Sequence, residues 1–158
     1  MKIYDCFIYF DEDLILDVRL NILNKFVDKF VIVESKFTHS GELRKPNFNI
    51  EKYKKFEKKI QYILLEKNPD ELFNIDKNDS KIKEKKIINA NLREFFQRNA
   101  IVQGLSEARE NDIIFISDVD EIPNLESIDF NKITDNPYMF KQIFCCYKFN
   151  LFSKMRWC

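Results

Sequence analysis

Glycine is almost absent from this sequence: Gly41 and Gly104 are the only two in 158 residues. A G-x-G-x-x-G dinucleotide loop and a G-x-x-x-x-G-K-[ST] phosphate loop each need closely spaced glycines, so neither can be written, and the enzymes built on them are excluded. An excess of one charge is also missing. Lys+Arg and Asp+Glu number 26 each, the formal net charge is +0, and a dedicated nucleic-acid binder needs clustered, unbalanced cations. No apolar run approaches the ~18 residues of a membrane span. Asp5 falls inside what would have to be the apolar region of a signal peptide. The cysteines, Cys6, Cys145, Cys146 and Cys158, form no C-x-x-C pair, so they read as reduced thiols in a cytoplasmic protein rather than a zinc or dithiol site.

What is present is a globular profile, 45% hydrophobic and 15% aromatic, in a chain long enough to bury a core without metal or disulfide staples. Residues 1–158 read as a single domain. Ile3 to Phe10, Phe30 to Val33, Ile60 to Leu65 and Asp112 to Ser117 are short runs rich in branched and aromatic residues, and predict strands, the last of them buried. Tyr138 to Phe149 reads as another strand or a pair of them. Asp11-Glu12-Asp13 can cap a helix whose apolar stripe is Leu14, Ile15, Val18, Ile22 and Phe26, with Asp17, Arg19 and Asn21 away from it. Glu51 to Lys59 reads as a basic surface helix. Asn91 to Arg109 predicts a helix with Leu92, Phe95, Phe96, Ala100, Leu105 and Ala108 on one face and Arg93, Gln97 and Arg98 off it. The stretch from Glu34 to Asn49, with Gly41 and Pro46, is a loop, and the Lys-rich segment at about 68–88 is a polar insertion or a solvated helix. This alternation implies an α/β fold, a mostly parallel sheet with helices on both faces. Ligands of such sheets bind at the carboxyl ends of the strands. Three polar tips therefore share one edge: Asp11-Glu12, Glu34-Ser35 and Asp118-Val119-Asp120-Glu121.

Three carboxylates within four residues repel one another unless a cation or a set of donors offsets them. Asp118 and Asp120 are hard oxygen ligands at D-x-D spacing, which suits Mn²⁺ or Mg²⁺ shared with a substrate's phosphates. Alternation would place the two on one side, with Val119 turned inward. The competing reading is a solvent-facing acidic turn closed by Pro123. Arg98-Asn99, on the helix before the acidic strand, could aim a guanidinium at a diphosphate, or Arg98 could pair with Glu94 at i−4.

The blocks Ile3-Tyr4-Asp5-Cys6-Phe7, Arg19-Leu20-Asn21, Val31-Ile32-Val33-Glu34-Ser35, Gln97-Arg98-Asn99-Ala100-Ile101 and Ile116-Ser117-Asp118-Val119-Asp120-Glu121-Ile122-Pro123, taken in order, resemble glycosyltransferase family 17. Its named members are β-1,4-mannosyl-glycoprotein β-1,4-N-acetylglucosaminyltransferases. The resemblance implies a GT-A fold, that of nucleotide-diphospho-sugar transferases. It also implies a metal-dependent, inverting transfer of a sugar, N-acetylglucosamine, from UDP-N-acetylglucosamine to a glycan or polysaccharide acceptor. Asp118 and Asp120 would hold Mn²⁺ or Mg²⁺, with Glu34, Arg98, Asn99 and Asp118 on the donor. Glu34 would accept from the base or ribose, or else cap the Thr38 loop. Glu121 is the candidate for a catalytic or metal-supporting acid, or is simply solvated, and His39 reads as an exposed loop residue. Relatives run past Cys158, so the acceptor part is expected to be absent, and Phe144, Phe149, Phe152 and Trp157 would then favour self-association. Two other readings stand: a non-catalytic donor-binding half, and a haloacid-dehalogenase-like phosphatase whose first D-x-D aspartate is the nucleophile. In that second family the motif sits near the start of the chain.

Overall fold

The structure is a computed structural model that describes residues 1–133, 137–145 and 152–157. Cys146, Phe149 and Cys158 lie outside the described residues, as do the side chains of Phe144, Phe152 and Trp157. Two compact units divide the chain, Met1–Asp120 and Glu121–Cys158. The second contains short 3₁₀ turns at Leu125–Ser127 and Phe130–Lys132, then a hairpin of strands β5 (Gln142–Cys145) and β6 (Phe152–Trp157).

The first unit is built on strands β1 (Ile3–Tyr9), β2 (Lys29–Ser35), β3 (Ile60–Leu65) and β4 (Ile113–Ile116). They pair in the order β3-β2-β1-β4, all parallel. Parallel pairing requires a crossover between strands. Helix α1 (Asp13–Leu23), a 3₁₀ helix at Ile50–Lys59, and helix α2 (Ile82–Asn99), continued by a 3₁₀ segment at Ala100–Leu105, supply the three crossovers. The expected α/β sheet with helices on both faces is what forms.

Side-chain alternation assigns the two faces. Tyr4 and Cys6 of β1, Val31 and Val33 of β2 and Leu65 of β3 form one buried cluster with Ala100 and Ile101. On the other face Phe7, Phe30 and Ile32 are buried beneath Leu16, Leu20 and Leu23 of α1 and Tyr53 and Phe56 of the 3₁₀ helix. Gly104 lets the segment after α2 lie directly on β2: a Cβ there would stand 2.4 Å from Val31 Cγ1. Gly41 occupies the left-handed region at φ 96°, with the Arg93 guanidinium packed against it. Both glycines of the chain are thus required where they stand.

Four local expectations change. The buried face of α1 is Leu16, Arg19, Leu20 and Leu23, whereas Leu14, Val18 and Ile22 of the expected stripe are exposed. Helix α2 begins at Ile82, so the end of the stretch read as an insertion or a solvated helix is helical, and α2 turns Asn89 and Gln97 inward while Phe95 and Phe96 are exposed. Glu12 precedes α1 without capping it; its carboxylate accepts instead from the backbone N–H groups of Phe10 and Asp11. Strand β4 is a four-residue strand at the edge of the sheet, with Ile116 59% exposed, rather than a buried one.

Candidate functional site

All four strands of the parallel sheet end on one edge. The strand order reverses at β1, because β2 lies on one side of it and β4 on the other. In doubly wound sheets that reversal opens the crevice in which ligands bind. A cavity of about 500 Å³ opens at the end of β1, lined by Ile8, Tyr9, Phe10 and Glu12, by Phe37, Thr38, His39, Ser40 and Arg44 of the loop after β2, and by Gln97 of α2.

The loop after β2 has a fixed shape because buried Glu34 organises it. Glu34 Oε1 accepts from Asn47 N at 2.7 Å and pairs with Arg44 at 2.9 Å. Its Oε2 accepts from Phe48 N at 3.1 Å and from the Tyr62 hydroxyl at 2.8 Å. Arg44 also donates to the carbonyls of Ser35 and Phe10 and lies over the Phe10 ring. Phe48 then stacks on Tyr62 and Tyr53 and meets Tyr9 edge-on. The contacts of Glu34 with Asn47, Phe48 and Arg44 are those of a loop cap, one of the two roles expected for it, and Tyr62 joins them from β3.

A second carboxylate completes this wall. Asp13 accepts from Lys52 and from the hydroxyls of Tyr9 and Tyr53. The Lys52 hydrogen bond, with those of the two tyrosines, holds its pKa below the ordinary aspartate value. Burial, followed by the Asp13 hydrogen bond, pushes Tyr9 and Tyr53 up, and burial with the Glu34 hydrogen bond does the same to Tyr62. The tyrosines are neutral donors. Cys6, buried beneath, has its thiol raised to about 12 by burial and by Asp5, which removes it as a nucleophile.

Across the crevice, the residue after Gln97 is Arg98. Its Nη2 donates to Asp118 Oδ1 at 2.6 Å, and Nε donates to Glu94 Oε1 at 3.1 Å. Of the readings expected for Arg98, the pair with Glu94 is present, and Asp118 is a partner the sequence did not suggest. Burial alone would weaken its charge, but Asp118 and Glu94 outweigh burial and raise its pKa further. Val119 is buried, as expected, but in a turn beyond β4 rather than in an extended strand, and the Asp118 side chain is 43% exposed. Asp120 is exposed in the turn beyond β4. Asn99 is exposed where α2 passes into its 3₁₀ continuation. Glu121, half-buried, begins the second unit. His39 is exposed as expected, but it lines the cavity, and its carbonyl accepts from Arg93.

Among the described residues no three His, Cys, Asp or Glu side chains gather as a cation cage. Two carboxylates are nonetheless the number that Mg²⁺ and Mn²⁺ use when substrate phosphates and water complete the shell. Asp118, whose carboxylate is partly exposed beside the Arg98 guanidinium, and exposed Asp120 are the two carboxylates at this strand end.

Sequence reading missed two contributors. Gln97 is buried at the cavity and donates to Val33 O at 3.1 Å. Arg19 is fully buried against Asp5. The signal for the pair was Asp5 itself, an acid within an aromatic and branched strand, which burial obliges to find a cation.

A family model described as glycosyltransferase family 17 matches residues 1–154. No curated protein and no solved structure matches. The match sets aside the phosphatase reading, in agreement with the position of the D-x-D turn after the last strand of the parallel sheet.

Proposed function

Because the chain belongs to glycosyltransferase family 17, we propose that the carboxyl edge of its sheet binds the donor in a divalent-cation-dependent, inverting transfer of N-acetylglucosamine from UDP-N-acetylglucosamine to a glycan or polysaccharide acceptor. The observation that carries this reading is the Arg98–Asp118 pair, one residue from the cavity that Gln97 lines. A nucleoside requires an apolar slot with a few polar groups, and a diphosphate requires a cation beside carboxylates; consecutive residues Gln97 and Arg98 of α2 connect the two in this reading.

In this reading the Phe10, Phe37 and Arg44 side of the cavity takes the nucleoside, and Thr38, Ser40 and Glu12 supply polar contacts at its rim. Arg98 orients the diphosphate while Asn99, exposed beside it, offers an amide. Asp118 and Asp120 hold Mn²⁺ or Mg²⁺, which would act as a Lewis acid on the charge that develops as the nucleoside diphosphate leaves. Arg98 adds a fixed positive charge at the same place, preorganised by Glu94 and Asp118. Glu121, next in sequence to Asp120, is the candidate acid for the acceptor hydroxyl. Among the described residues no helix is long and apolar enough to cross a membrane. A reducing compartment such as the cytoplasm suits the buried thiol Cys6.

Calorimetric titration of UDP and UDP-N-acetylglucosamine, with and without Mn²⁺, tests the proposal. Binding should appear only with the metal and vanish in a folded Asp120→Ala chain. Equal binding in that variant, or no binding to the folded wild-type chain, rejects it.

A further inference from the structure

The contacts of one buried guanidinium go beyond what a core ion pair needs. Arg19, on the inner face of α1, and Asp5, in β1, are both 0% exposed and pair in a bidentate fork, Nε to Oδ2 at 2.8 Å and Nη2 to Oδ1 at 2.7 Å. The guanidinium lies over the Phe7 ring, 4.6 Å from its centroid. Its remaining donors leave the pair for the turn after β4. Nη2 reaches Ser117 Oγ at 2.7 Å, and Nη1 reaches the carbonyls of Asp118 at 2.7 Å and Val119 at 3.2 Å. All three guanidinium nitrogens are engaged, which a fork of five fixed N–H groups makes directional.

Strand β4 cannot hold that turn by itself. It is four residues long, pairs among the described residues only with β1, and the bond just beyond it, Ser117 N to Cys6 O, is 3.3 Å long. A buried ion pair adds little net stability over apolar side chains of similar volume. Its value here lies in where it holds the backbone. Asp118 is gripped at its carbonyl by Arg19 from within the core and at its carboxylate by Arg98 from α2.

We infer that Arg19, oriented by Asp5, is a positioning residue that fixes the Ser117–Val119 turn and thereby sets the Asp118 and Asp120 carboxylates for cation–diphosphate binding. The inference rests on the function proposed for those carboxylates. Arg19 touches no ligand; it acts through the main chain.

The test uses the whole chain in four forms: wild type, Asp120→Ala, Arg19→Lys, and the double variant Asp5→Val with Arg19→Met, which removes both buried charges at nearly constant volume. Each is measured by thermal melting, by amide hydrogen exchange over 117–120, and by UDP titration in Mn²⁺. The double variant should melt close to wild type, exchange faster at 117–120 while β1 and β2 stay protected, and bind UDP at least about tenfold more weakly, since small misplacement of a site group has effects of that order. Arg19→Lys keeps a cation for Asp5 but not the fork, and should show the same loosening and the same loss. If the double variant does not fold, Arg19→Lys decides: wild-type affinity and exchange in that chain overturn the inference. Wild-type affinity in a folded double variant, with Asp120→Ala inactive in binding, also overturns the role of Arg19 and leaves the proposed function standing. Retained affinity in Asp120→Ala instead overturns the function, and unchanged exchange at 117–120 in the double variant then removes the clamp as well.

Discussion

Replacing Glu34 by Gln exchanges one oxygen of this protein for an NH₂ group and should unsettle a whole wall of the crevice. The carboxylate serves Asn47 N, Phe48 N, the Tyr62 hydroxyl and Arg44 at once, and Glu34 is fully buried. A glutamine of the same shape keeps one oxygen for Asn47 N, but its NH₂ then faces the Phe48 N–H, and two donors meet. The Tyr62 hydroxyl can rotate to accept; the backbone N–H cannot. Arg44, little exposed, also loses its charged partner. A hydrogen bond to a charged group contributes about 1.5–3 kcal/mol, and an unsatisfied buried donor costs about 1–3 kcal/mol. The arrangement therefore loses about 2–4 kcal/mol, with Tyr62 partly compensating. Against a total stability of about 5–15 kcal/mol this is a large fraction, and it corresponds to a melting point lower by about 5–15 °C. Urea denaturation followed by circular dichroism gives the difference directly, and UDP titration in Mn²⁺ on the same protein should show weakened binding through the loosened loop. A variant within about 0.5 kcal/mol of wild type, the range of ordinary surface changes, that still binds UDP poorly would refute the reasoning. It would mean that Glu34 touches the nucleotide and not the loop.

Gly104→Ala should destabilise by about 1–3 kcal/mol through overpacking, because its Cβ would fall 2.4 Å from Val31 Cγ1; adding Val31→Ala should recover part of the loss in the same denaturation assay. Asp13 has a folded-state pKa lowered first by Lys52 and then by Tyr9 and Tyr53, so its contribution to stability is present above the unfolded value of about 3.9 and is lost as pH falls through the folded one. Asp13→Asn should therefore be less stable than wild type at pH 7 and converge with it in strong acid. Tyr9, Tyr53 and Tyr62 are raised, so the stability they confer is intact below about pH 10 and fades as pH rises through their folded values. An ultraviolet titration should show these three tyrosinates only as the chain unfolds, and their appearance in a folded chain would contradict the hydrogen bonds to Asp13 and Glu34.

The sequence alone determined the strands and the edge at which the chemistry gathers. Phe30 to Val33 and Ile60 to Leu65 are short branched runs that the sheet buries or half-buries, and β3 begins and ends where the apolar run does. The alternation of such runs with helical segments requires crossovers, and crossovers make the strands parallel, so the tips carrying Glu34 and Asp118 had to share an edge. What periodicity could not decide was which face of each helix turns inward. Helix α1 carries two apolar rows, Leu14-Val18-Ile22 and Leu16-Leu20-Leu23, of the same helical spacing. Only the second brings Arg19 with it, and Asp5 in the adjacent strand needs that cation, so a contact between strand and helix chose the row. Helix α2 follows the same logic. Phe95 and Phe96 are left exposed because Gln97 must face the sheet to donate to Val33 O, and Gly104, on the same side, must meet Val31 without a side chain between them. Burial of an apolar row is non-directional and can be satisfied by either face, whereas a buried charge or amide has a partner at one place. That place exists only once the chain has folded.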